Sequence, residues 1–266
     1  MSSKGFKAKK SLGQNFLKDA QVIERIAEAA GCGEEDTVVE IGPGLGALTD
    51  ALSERAGRVI AVELDDRLIP VLRTKFALRD NVEIVHGDIL KFDWSSASPG
   101  SGGLYIAGNL PYYITTPILL GILEKKVPAK KITVMVQKEV ADRIVAPPGG
   151  KDYGVLSLSL QYYAEVKKVI DVPSVCFDPR PKVDSAVVTL DLKEERALDG
   201  EGEKKFFSLV KKAFSQRRKT LSNSLTGLDG KTKEEIERVL LLNGIDPGRR
   251  AETLSLDEYI NLSKEI

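Results

Sequence analysis

The chain has 266 residues, 42% of them hydrophobic and 29% charged, with 39 Lys+Arg balanced by 39 Asp+Glu. That length admits one large domain or one with a small companion, and the composition excludes disorder throughout. Two cysteines and one histidine exclude a disulfide framework and multi-histidine metal chemistry, while the longest apolar run, Pro117 to Leu123, falls far short of a membrane span, so a cytoplasmic protein with no metal and no membrane partner is expected.

The neutral total hides two one-sided stretches. Residues 1–18 carry Lys4, Lys7, Lys9, Lys10 and Lys18 with no acid, and read as a basic N-terminal arm. Asp19 is placed to cap a helix running to about Ala30, with Val22, Ile23, Ile26, Ala27 and Ala30 on one face. Then follow a strand at 37–41, a glycine-rich turn, a helix at about 46–55, a strand at 58–63, a helix at 66–76 and a strand at 82–85. After a Ser/Gly-rich loop at 95–103 come a strand at 104–107, a helix at 116–125, a strand at 131–136 and a helix at 137–146. Strands alternating with helices predict an α/β fold around a parallel sheet. Two later strands, near 165–172 and 184–192, have no full helix between them and predict an antiparallel hairpin at the sheet edge. Beyond Glu194 only helical periodicity remains, at about 203–215, 217–226, 232–242 and 255–264, with Gly200-Glu201-Gly202 reading as a linker. The expected organisation is therefore an arm at 1–18, an α/β domain at 19–194 and a small all-helical domain at 195–266. The second basic stretch, with Lys211, Lys212, Arg217, Arg218 and Lys219, falls in the helical domain, and two such patches point to a polyanionic partner.

The turn Glu40-Ile41-Gly42-Pro43-Gly44-Leu45-Gly46 lies between a strand and a helix, where glycines let the backbone turn tightly and approach a ligand. Glu63 ends the next strand, where a carboxylate can accept both ribose hydroxyls. Together they fit NAD and S-adenosylmethionine equally well. Asp88 follows the third strand and could accept an adenine amino group, since open α/β sheets bind ligands at their strand ends.

Asn109-Leu110-Pro111-Tyr112 follows the fourth strand. The amino nitrogen of a purine is a poor nucleophile because its lone pair is conjugated with the ring. An amide oxygen from Asn109 and a backbone carbonyl of Leu110 or Pro111 could accept its two protons and favour a pyramidal nitrogen. Tyr112 offers a face on which an extruded base can stack. An NAD oxidoreductase would leave this motif unexplained.

Asn-Leu-Pro-Tyr after a Gly-x-Gly-x-Gly loop resembles the adenine-N6 methyltransferases of nucleic acid. Lys10-Ser11-Leu12-Gly13-Gln14-Asn15-Phe16-Leu17, Met135-Val136-Gln137-Lys138-Glu139-Val140-Ala141, Phe177-Asp178-Pro179-Arg180-Pro181-Lys182-Val183-Asp184-Ser185 and Phe214-Ser215-Gln216-Arg217-Arg218-Lys219-Thr220-Leu221 narrow the resemblance to the ribosomal RNA adenine dimethyltransferases, from about residue 10 to 260. The resemblance implies a Rossmann-like class I methyltransferase sheet, S-adenosylmethionine as cofactor with S-adenosylhomocysteine as product, and dimethylation of two adjacent adenosines near the 3′ end of small-subunit rRNA. A monomer acting on a pre-ribosomal 30S particle is expected. Asn15 and Leu17 would close over the cofactor, Gly42 and Gly44 would line its methionine and ribose, Glu63 would hold the ribose and Asp88 the adenine. Asn109 would stand between cofactor and target, and Tyr112 and Phe177 would sandwich the target adenine. Lys9, Lys10, Lys211, Lys212, Arg217, Arg218 and Lys219 would meet RNA. The neighbouring possibilities are a resistance-type methyltransferase of large-subunit rRNA and a ribosome assembly factor with catalysis secondary.

Overall fold

The structure, a computed structural model, describes residues 9, 13–216 and 218–266. Lys10 and Arg217 therefore lie outside the described residues. The chain divides into two compact units: the first ends its leading segment at Ala141 and takes up Glu165–Leu192, and the second joins Asp142–Ala164 to Lys193–Ile266. The expected α/β domain at 19–194 is thus interrupted, because 142–164 belongs with the helical unit.

In the first unit, β1 (Phe16–Leu17) and α1 (Ala20–Ala30) lead into β2 (Thr37–Ile41), α2 (Ala47–Ser53), β3 (Arg58–Glu63), α3 (Ile69–Lys75), β4 (Val82–His86), β5 (Leu104–Asn109), α4 (Thr115–Glu124) and β6 (Ala129–Gln137). A helix α5 (Lys138–Ile144) follows and runs past Ala141 into the second unit, which also holds α6 (Val155–Tyr163); the first unit resumes with β7 (Ala164–Val172), β8 (Phe177–Asp178) and β9 (Ser185–Leu192). Among the described residues, seven strands form one sheet in the order β4-β3-β2-β5-β6-β9-β7. Strands β4 through β6 are parallel to their neighbours, and β9 runs antiparallel to β6. Strands β9 and β7 lie side by side at one edge of the sheet, with β8 between them in the chain. Every residue of β2 is buried, as a central strand covered on both faces requires.

Helix α1 follows from its capping. Asp19 accepts hydrogen bonds from the N–H groups of Gln21 and Val22, and Gly31, at φ 68°, closes the far end in the left-handed region. Its apolar face puts Ile26, Ala27 and Ala30 into a core with Val38, Val59, Ala107, Met135, Phe177 and Val187. A fully buried Ile or Phe there contributes about 1.5–3 kcal/mol over its exposed state. A separate antiparallel pair joins β1 to β8, with Phe16 opposite Asp178 and Leu17 opposite Phe177.

The second unit is built on aromatic contacts. Tyr162 of α6 stacks on Phe206 with ring centroids 4.8 Å apart, and Tyr163 stacks on Phe207 at 5.7 Å. Phe206 and Phe207 belong to α7 (Gly200–Ala213), which is followed by α8 (Leu221–Leu225), α9 (Lys233–Leu242) and α10 (Leu256–Glu265). The expected linker Gly200-Glu201-Gly202 is instead the first turn of α7, because the Asp199 carboxylate accepts from the Gly202 N–H at 2.7 Å and caps the helix there. Thr232 with Glu235, and Ser255 with Glu258, form capping boxes that fix the starts of α9 and α10.

Candidate active site

The parallel register brings the carboxyl ends of β2, β3, β4 and β5 side by side: Ile41 lies opposite Val62 and Gly108, and Glu63 lies opposite His86. The chain order reverses around β2, so the crevice above these ends is the place where an open α/β sheet takes a ligand. One pocket there is lined by Asn15, Leu17, Gly42, Gly44, Glu63, Asp88, Asn109, Leu110, Pro111 and Tyr112.

The glycine turn is shaped by what presses on it. Gly44 sits at φ 59°, and a Cβ there would come within 3.0 Å of the Phe16 ring. Gly46, at φ 73°, would push a Cβ to 2.7 Å from Phe76. The first glycine therefore makes room for the N-terminal arm, and the second lets the loop lie against the end of α3.

Glu63 is 6% exposed and is held by backbone donors: Oε2 accepts from the Gly44 N–H at 3.1 Å and Oε1 from the Asp65 N–H at 2.8 Å. Burial pushes its carboxyl above the ordinary value against these two bonds. Asp88 caps the turn after β4 by accepting from the Leu90 N–H at 3.0 Å. Tyr112 donates to or accepts from the Ser185 hydroxyl at 2.7 Å, and burial raises its phenol.

At the fourth strand end the hydrogen bonds leave two acceptors. Asn109 donates through Nδ2 to the Asn15 carbonyl at 3.0 Å, and its Oδ1 accepts from no described residue. The Pro111 carbonyl is taken by the Ile114 N–H at 3.1 Å and the Thr115 hydroxyl at 3.2 Å. The Leu110 carbonyl accepts from no described residue.

Phe177 does not join this group. It is 2% exposed, lies opposite Leu17 in the β1–β8 pair, and packs in the core with Ile26 and Met135. The expected sandwich of Tyr112 and Phe177 is not formed in this structure, where the arm that pairs with β8 lies against the Phe177 strand. Lys9, Lys211, Arg218 and Lys219 are exposed and Lys212 is half-buried, and none of them forms an ion pair among the described residues.

Two residues of the site escaped the sequence reading. Gln14 donates through Nε2 to Asp65 Oδ2 at 2.8 Å, while its own Oε1 accepts from the Lys9 N–H at 2.7 Å. The Asp65 side chain is fully enclosed and also accepts from Arg67 Nε at 2.9 Å and Nη2 at 2.5 Å. That guanidinium holds the Asp65 carboxyl well below the usual carboxylate range. The only sequence signal for this latch between the arm and Asp65 was the closeness of Gln14 to Asn15, one residue on, and of Asp65 to Glu63, two residues back.

The fit to an adenosyl cofactor is chemical as well as spatial. A carboxylate held by backbone donors stands at the end of β3, another follows β4, and a glycine-rich turn lines the same pocket as Asn109. Among the described residues, no group of three or more His, Cys, Asp and Glu is placed to hold a metal ion, and no helix is long and apolar enough to cross a membrane.

The family model of ribosomal RNA adenine dimethylases matches residues 5–266. A ribosomal RNA small subunit methyltransferase A of Shouchella clausii is 48% identical over 98% of this chain and 90% of its own length, and one of Bacillus mycoides is 47% identical over 98% and 92%. Among solved structures, a dimethyladenosine transferase from Plasmodium falciparum superposes with a TM-score of 0.82 at 26% identity, covering 94% of this chain and 96% of that one. The 23S rRNA methyltransferase ErmE gives 0.76 at 29% identity, covering 94% and 98%.

Proposed function

The chain belongs to the ribosomal RNA adenine dimethylase family, and we propose that its pocket converts adenosine N6 to dimethyladenosine in small-subunit rRNA with S-adenosylmethionine as methyl donor. Glu63 holds the ribose hydroxyls, Asp88 the adenine amino group, and Gly42 and Gly44 the edge of the methionine, with Asn15 and Leu17 closing from the arm. When bound, the cofactor supplies a methyl group on a positively charged sulfur.

The observation that carries the reading is the pair of open acceptors at the fourth strand end. Asn109 Oδ1 and the Leu110 carbonyl accept the two N6 protons of the target adenine, which turns the nitrogen lone pair out of conjugation and toward the cofactor. The bond from Asn109 to Asn15 fixes which end of the amide faces the substrate. Tyr112, anchored at its hydroxyl by Ser185, presents its ring to the extruded base, and stacking of this kind is worth about 1–3 kcal/mol per base. The proton leaves after the methyl has moved, so positioning rather than a strong base is what the chain provides, and orientation alone can lower such a barrier by roughly 7–11 kcal/mol.

Lys9, Lys211, Lys212, Arg218 and Lys219, without ion pairs among the described residues, are cations suited to phosphate, and we assign them RNA contacts. The substrate is taken to be two adjacent adenosines near the 3′ end of small-subunit rRNA, met in a pre-ribosomal particle by a monomer. The test is transfer from labelled S-adenosylmethionine to undermethylated small and large subunits offered side by side. Dimethyladenosine in the small-subunit RNA is the expected result. Label in the large subunit alone would overturn the substrate assignment.

A further inference from the structure

One ring in the pocket has no part in this scheme. Tyr113 follows Tyr112 in the turn between β5 and α4 and lines the same pocket. It is 56% exposed, and among the described residues its hydroxyl joins no hydrogen bond and its ring no aromatic pair. A single exposed apolar side chain elsewhere on the surface would call for no explanation. Here the ring stands at the rim of a pocket, beside the tyrosine that takes the target base.

The two tyrosines leave their shared backbone toward different neighbours. The Tyr112 hydroxyl reaches Ser185 of β9 at 2.7 Å. Tyr113 lies instead against Gly13 of the arm, where a Cβ would come within 3.3 Å of Tyr113 Cδ1 and 3.5 Å of Cε1. Gly13 sits at φ 62°, so it suits this place both by its backbone and by leaving room for the ring. With one ring tied toward β9 and the next set on the arm, a single base cannot lie flat on both.

The substrate supplies an occupant for the second ring. Turning an adenine out of a strand breaks its stacking on both neighbours, and each neighbour stays tied to it through one phosphodiester link. With the target in the pocket, an adjacent base is therefore held at the rim with a newly bared face. A flat, half-exposed ring gives that face a new partner, and every base has such a face whatever its sequence. Nothing else is carried to this spot by the reaction itself.

We propose that Tyr113 is a substrate-positioning residue that stacks the base next to the target adenosine, keeping the strand parted while the pocket holds the extruded base. This rests on the reading of the pocket as one that takes an adenine from RNA. The ring is what the role requires, and the hydroxyl is not.

The experiment is methyl transfer to undermethylated small subunits by the wild type, Tyr113→Phe and Tyr113→Ala, with S-adenosylmethionine affinity measured by calorimetry. Removing the ring is expected to lower kcat/KM for the subunits roughly 5- to 150-fold, the range found when a base loses an aromatic platform. Tyr113→Phe should stay within about threefold of the wild type, and cofactor affinity should hold within about threefold in both variants. The deciding arm uses small subunits reconstituted with an abasic site on the 5′ or the 3′ side of one target adenosine, with methylation read at that nucleotide by mass spectrometry. At one of the two sites the wild type and Tyr113→Ala should become equal, because the base that the ring would hold is gone. A Tyr113→Ala defect that persists at both sites overturns the inference, as does the absence of any defect on intact subunits. A defect that lies in cofactor affinity also overturns it, since the ring would then serve only to prop the arm. If Tyr113→Ala does not fold, Tyr113→Leu keeps the apolar bulk without the flat face and is held to the same outcomes. Failure of the wild type to methylate intact small subunits overturns the proposed function and the inference with it.

Discussion

Removing the Gln14 side chain isolates the latch between the N-terminal arm and the pocket. In Gln14→Ala the bond from Nε2 to Asp65 disappears, but Asp65 keeps its bonds with Arg67 and is not left as an unpaired buried charge. The backbone N–H of Asp65 also keeps its bond to Glu63, so the ribose grip is untouched. A hydrogen bond to a charged group contributes about 1.5–3 kcal/mol, and each 1.4 kcal/mol is about tenfold in affinity. Where arm closure is coupled to cofactor binding, S-adenosylmethionine affinity should fall roughly 10- to 150-fold, toward the low end because the Asn109–Asn15 bond still ties the arm. Calorimetry on Gln14→Ala, Asp65→Ala and the double variant measures this, with turnover at saturating cofactor as the companion readout. The double variant should bind no more weakly than Asp65→Ala, since both remove the same hydrogen bond. A change smaller than about threefold in Gln14→Ala, or effects that simply add in the double variant, would refute the latch.

Three further outcomes are expected. Asn109→Ala should abolish methyl transfer while calorimetry finds S-adenosylmethionine binding within about tenfold of wild type, since Glu63 and Asp88 remain. Phe177→Ala should cost about 3–5 kcal/mol in denaturant unfolding, as an aromatic deleted from a closed core does, and a variant of unchanged stability but raised RNA KM would show that the ring faces substrate instead. Arg218→Glu with Lys219→Glu should weaken RNA binding and flatten its dependence on salt, by a log–log slope of about one for each phosphate no longer neutralised, when affinity is measured across a salt series.

The sheet was legible in the residues because its central strands are short apolar runs bounded by glycines and charges, as in Thr37–Ile41 and Arg58–Glu63. The carboxylates were legible because they sit at strand ends, where topology rather than side-chain packing sets their direction. Helix α6 was not. Val155-Leu156-Ser157-Leu158-Ser159-Leu160 alternates with the period of a strand, yet Ser157 and Ser159 are buried in a helix, and the Ser157 hydroxyl donates to the Arg143 carbonyl at 2.5 Å. With that helix went the division of the chain, since 142–164 gave no hint of belonging with residues beyond 193. Phe177 shows the converse limit: its motif was readable, but the direction of the ring depends on two residues of the arm, Phe16 and Leu17, more than 150 positions away. The Gly200 turn was misread because a single carboxylate, Asp199, converts a flexible-looking sequence into a capped helix.

The strand order also bears on how the chain folds as it is made. Strand β9 lies between β6 and β7, so β6 emerges from the ribosome with one edge unpaired and waits for a partner encoded downstream. The wait covers about 55 residues, from Gln137 to the end of β9, or roughly 3–11 s at typical bacterial to slower synthesis rates. During that interval the apolar run of β6, from Ile132 to Val136, is an open sheet edge of the kind that pairs with other chains. The segment made in the meantime includes Asp142–Ala164, whose tyrosines find their stacking partners only after Phe206 and Phe207 appear. The first unit cannot complete its sheet before Ser185–Leu192 is synthesised, and the second waits longer still for Phe206 and Phe207.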